Sequence, residues 1–63
     1  MSKTLENLYA YLLTRKGEPL TEIDCLVVEG VTTDNVIGLL ELLENDDKIS
    51  LDHTYVHYDI TVN

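Results

Sequence analysis

Asp52, His53, His57 and Asp59 bring two imidazoles and two carboxylates into one short stretch near the end of the chain. These are metal-ligand types, so zinc is the first chemistry to consider. A His-x-x-x-His spacing converges on one ion only on a helix, and Val56, Tyr58, Ile60 and Val62 alternate with polar residues as in a strand. Four strand residues span ~13 Å, too far for two ligands whose bonds to zinc are ~2 Å. No metal is expected. Cys25 has no neighbouring His and no second Cys. It falls in the first turn of a short helix, where a thiolate gains slight support, but between Ile23 and Leu26 it reads as a small packing residue. No Gly-rich phosphate loop, serine-nucleophile motif or paired-carboxylate spacing is present. The expectation is a protein that is not an enzyme and binds no cofactor.

The charge balance narrows the partners. Twelve acids against four bases give 63 residues a net charge of −8. Non-specific DNA binding depends on Lys and Arg neutralising phosphates, so duplex DNA is disfavoured, as is an anionic membrane. Apolar residues make up 44% of the chain, too many for a disordered acidic tail. No apolar run reaches the ~18 residues of a membrane span. Met1-Ser2-Lys3 leads straight into a periodic segment rather than a signal peptide, and one thiol forms no internal disulfide. Both features fit a cytoplasmic setting.

The elements follow from spacing. Leu5, Leu8, Tyr9, Leu12 and Leu13 form one apolar stripe, predicting a helix over about 4–16 capped by Ser2 or Thr4 and stopped by Gly17. Pro19 makes the connector 17–20 a bridge or a short strand. Thr21 with Asp24 approximates a capping box for a second helix over about 21–28, with Ile23, Leu26 and Val27 as its apolar face. The β-branched pair Val27-Val28 leaves a strand as the alternative. Thr32 or Thr33 caps a third helix carrying Val36, Ile37, Leu39, Leu40, Leu42 and Leu43 around most of its circumference. Acids at its end, Asn45-Asp46-Asp47, oppose the helix dipole and predict fraying.

Ile49 and Leu51, then Val56 through Val62, alternate as two strands of a hairpin. Placing Leu51 opposite Val56 pairs Ile49 with Tyr58 and Lys48 with Asp59, leaving Asp52-His53-Thr54-Tyr55 as the loop. The expected core is Leu5, Leu8, Leu12, Ile23, Leu26, Val36, Leu40, Leu43, Ile49, Tyr58 and Ile60.

The stretch Pro19-Leu20-Thr21-Glu22-Ile23, then Gly30-Val31-Thr32-Thr33-Asp34-Asn35-Val36, Leu39-Leu40, Leu43 and Lys48-Ile49 resembles the winged helix-turn-helix family. The resemblance covers nearly the whole chain. It implies one α+β domain over residues 1–63, with three helices and a C-terminal two-stranded β-hairpin. In DNA-binding members, the positions of Thr32, Thr33, Asn35, Gly38 and Glu41 would face the major groove, and the wing tip Asp52-His53-Thr54 would reach the backbone. Here that face has no Lys or Arg and includes Asp34 and Glu41. The positions are present, but the chemistry for phosphate is missing.

The expected function is therefore an acidic protein–protein interaction module. Its third helix would bind a second copy or a regulatory or host partner through Ile37, Gly38, Leu39, Glu41 and Leu42. Such a chain suits a viral or mobile-element accessory protein. The alternatives are a winged-helix DNA-binding regulator using Thr32, Thr33, Asn35 and Gly38, and an acidic mimic of nucleic acid that inhibits a nucleic-acid-binding protein.

Overall fold

A computed structural model describes residues 2–63. Helix α1 spans Lys3–Thr14, strand β1 Leu20–Thr21, a 3-10 helix Glu22–Val27, helix α2 Val36–Asn45, strand β2 Ile49–His53 and strand β3 Tyr58–Val62. Together they form an α+β domain whose antiparallel sheet has three strands in the order β1-β3-β2. The connector thus contributes a strand, and the sheet is wider than the expected two-stranded hairpin.

α1 forms where its stripe predicts. Ser2 Oγ caps it by accepting the Leu5 N–H at 3.1 Å, and Leu5, Leu8 and Leu12 are buried. Gly17 turns the chain away at φ +92°, a conformation that costs glycine least. Gly30, at φ +89°, is fixed twice over, because any Cβ there would stand 2.6 Å from Thr4 Oγ1.

The second helix is a 3-10 helix and not the expected α-helix. Asp24 Oδ2 accepts the Thr21 N–H at 2.8 Å, closing the first turn tightly. With three residues per turn, Glu22 and Cys25 share the inward face. Cys25 is fully buried, while Ile23 and Val27 are 54% and 73% exposed. The expected core positions Ile23 and Leu26 are thereby displaced: Leu26 is half-buried, and Leu20, Cys25, Val31 and Val62 complete the core instead.

The strands keep their predicted faces but not their predicted register. Leu51 pairs with Ile60, not Val56; Ile49 pairs with Val62, and His53 with Tyr58. The turn decides this. Thr54 N–H donates to His57 O, Thr54 Oγ1 also donates there, both at 2.8 Å, and His57 N–H donates back to Thr54 Oγ1 at 3.1 Å. Tyr55 and Val56 are left exposed at the tip. On the other flank Leu20 pairs with Ile60, so Leu20, Ile60 and Leu51 form one row across the sheet. Lys48 does not meet Asp59; its ammonium sits 4.9 Å from the centroid of the Tyr9 ring.

The acidic end of α2 is closed by a defined turn. Lys48 N–H donates to Leu43 O and Asp47 N–H to Glu44 O, the paired bonds of a Schellman ending, with Asp47 at φ +59°. Glu44 then reaches the sheet, where its Oε2 accepts the Leu51 N–H at 3.1 Å. That bond satisfies a donor on the outer edge of β2, an edge that would otherwise invite another strand.

Candidate partner-binding groove

Three elements meet around an open depression of about 250 Å³. The 3-10 helix contributes Ile23 and Leu26, the start of α2 contributes Val36 and Ile37, and β3 contributes Tyr58. Glu22 and Thr33 supply the polar rim. The apolar character follows from the local folding: the tight 3-10 turn buries Cys25 and so turns Ile23 outward, beside the half-buried Ile37.

Glu22 ties the rim together. Its Oε1 accepts the Tyr58 N–H at 3.0 Å, and its Oε2 lies 3.4 Å from His57 Nδ1. Burial pushes this carboxyl upward, but the N–H groups of Tyr58 and of Glu22 itself, with the His57 ring, outweigh it and hold it below the ordinary carboxylate value. His53 stacks on Tyr58, with ring centroids 4.2 Å apart and planes 2° from parallel. The two histidines therefore have separate partners. Among the described residues no group of three or more His, Cys, Asp or Glu is placed to hold a metal ion. Nor is any helix among them long and apolar enough to cross a membrane.

The Cys25 thiol is pushed up to about 11, chiefly by burial and further by the charges of Asp24 and Glu22. Its Sγ lies 3.7 Å from Thr21 O. Its side chain packs in the core beside the other fully buried residues.

The expected partner residues on α2 separate. Ile37 lines the groove, and Glu41, one turn further on, is exposed. Leu39 is half-buried against the core. Gly38 and Leu42 are exposed on a neighbouring face, and the space where a Gly38 Cβ would lie is open. The sequence reading missed Ile23, Leu26, Val36 and Tyr58 as groove residues because it assigned all of them to the core.

The positions named for DNA are taken up locally. Thr32 Oγ1 accepts the N–H groups of Asp34 and Asn35, while Asn35 Oδ1 accepts the Thr32 N–H at 2.8 Å. Asn35 Nδ2 donates to Gly30 O at 2.9 Å. Both side chains are thus engaged in shaping the turn into α2. Thr33 belongs to the groove rim, and Gly38 has no side chain to offer a base.

Comparison of the chain with protein-family models, with curated proteins and with solved structures finds no match.

Proposed function

We propose that this chain is a small non-enzymatic protein-interaction module of winged-helix type, acting in the cytoplasm and binding its partner through the groove beside Ile37. The order helix, short strand, helix, helix, strand, strand supports the winged-helix reading. The observation that carries the functional reading is the gathering of Ile23, Leu26 and Ile37 in one open depression. A chain of 63 residues has little material to cover its own surface, so apolar side chains left together outside the core are available to a partner. DNA is disfavoured because Thr32 and Asn35 are engaged in the turn and no Lys or Arg lies between Lys16 and Lys48.

Ile37→Asp tests this reading. The variant keeps its circular dichroism, unfolds somewhat more easily because Ile37 also packs against the core, and loses the capacity to cross-link to partner, because a charge is placed where apolar contact forms. Ile23→Ser does the same from the other wall of the groove. Tight sequence-specific binding of a purified duplex at physiological salt, measured by mobility shift, would overturn the proposal and favour the DNA-binding alternative.

A further inference from the structure

We infer that the groove takes a basic segment of another protein, anchored by an apolar side chain, and that a second copy of this chain is not its occupant. The inference rests on the reading of the groove as an interface and adds the chemistry of what fills it. Two observations carry it. The first is size: about 250 Å³ is below the usual range of small-molecule sites and suits one or two inserted side chains.

The second is charge. Glu22 forms part of the wall, and its carboxylate, which accepts the Tyr58 N–H and lies beside His57, brings a negative charge to the groove. Asp34 follows Thr33, and Glu41 stands one turn beyond Ile37, both exposed. No Lys or Arg lines the groove. The cations lie elsewhere: Lys3 in α1, Arg15 and Lys16 just past its end, and Lys48 over the Tyr9 ring. Arg15 is further occupied by Glu18 at 3.0 Å and by the Tyr11 hydroxyl at 2.7 Å. An apolar floor with one carboxylate in its wall, on a chain of net charge −8, fits a partner segment in which Lys or Arg flank a Leu, Ile or Phe. A second copy docked groove to groove brings a further charge of −8 and no Lys or Arg to the contact.

The test uses the full chain and two labelled synthetic peptides with identical leucines, one flanked by lysines and one by glutamates, followed by fluorescence anisotropy. The lysine peptide binds, and raising the ionic strength from ~0.05 to ~0.5 M weakens it. Ile23→Ser lowers its affinity by about tenfold or more through lost apolar burial, without changing the net charge. Leu13→Ser, on α1 and outside the groove, leaves the affinity unchanged. Equal binding of both peptides overturns the inference and leaves the groove reading standing. Lysine-peptide binding that ignores Ile23→Ser also overturns it, because surface charge alone is then responsible. Self-association in sedimentation that Ile23→Ser abolishes makes a second copy the occupant, overturning the inference but not the interface. No binding of either peptide by a chain that sediments as a monomer overturns both.

Discussion

Asp52 and Asp59 lie directly opposite each other on β2 and β3, both exposed on the outer face of the sheet. Like charges facing across a strand pair destabilise it, in the range of about 0.2–1 kcal/mol. Asp52→Lys converts the repulsion into an attractive pair and is expected to raise stability by about 0.5–1 kcal/mol, read from the urea midpoint. Raising ionic strength to ~0.15 M is expected to stabilise the native chain and to help the variant less. A native chain that loses stability with salt would show that its local ion pairs outweigh its net repulsion.

Glu22 supplies the second prediction. Its folded pKa is depressed, so its contribution is present above the unfolded value of about 4.5 and is lost as pH falls through the lower folded value. Glu22→Gln keeps an acceptor for the Tyr58 N–H but has no charge to lose. The stability gap between native and variant proteins should therefore be open at neutral pH and close in acid. A gap that stays constant from neutral pH to below the folded pKa would show that the carboxylate charge contributes nothing. Glu22→Ala, which leaves the Tyr58 N–H without this acceptor, is expected to cost about 1–2 kcal/mol.

Asp47 holds a left-handed conformation that few side chains accept readily, and it does so at the carbonyl end of α2, where an acid is unfavourable. Asp47→Gly relieves both and is expected to stabilise the chain by about 0.5 kcal/mol, seen as a small rise in melting temperature. A fall would show that the Asp47 side chain supports the turn in a way the Schellman bonds do not.

Much of the fold was legible from periodicity. Leu5, Leu8 and Leu12 in α1, and Val36, Leu40 and Leu43 in α2, are buried as their spacing predicts. The strand faces were legible too, but the register was not. Pairing Leu51 with Val56 or with Ile60 keeps the same residues on the same face, so apolar alternation cannot choose between them. The choice rests on Thr54 bonding to His57 and on Leu20 pairing with Ile60 from a strand only two residues long. The groove was half legible. Ile37, which lines the depression, stands out in the sequence because α2 carries more apolar residues than one side can bury. Ile23 was hidden because α-helical spacing turns it inward, whereas 3-10 spacing gives that place to Cys25.

The central claim is that Ile23, Leu26, Thr33, Ile37 and Tyr58 form one partner-binding surface. It is tested most directly by amide chemical-shift mapping of the isotope-labelled chain titrated with the lysine-flanked leucine peptide. The account predicts that the largest changes gather on those residues, with Ser50 and Thr61 on the outer sheet face unmoved. Changes confined to α1 or to that outer face, with Ile23 and Ile37 unperturbed, would contradict it.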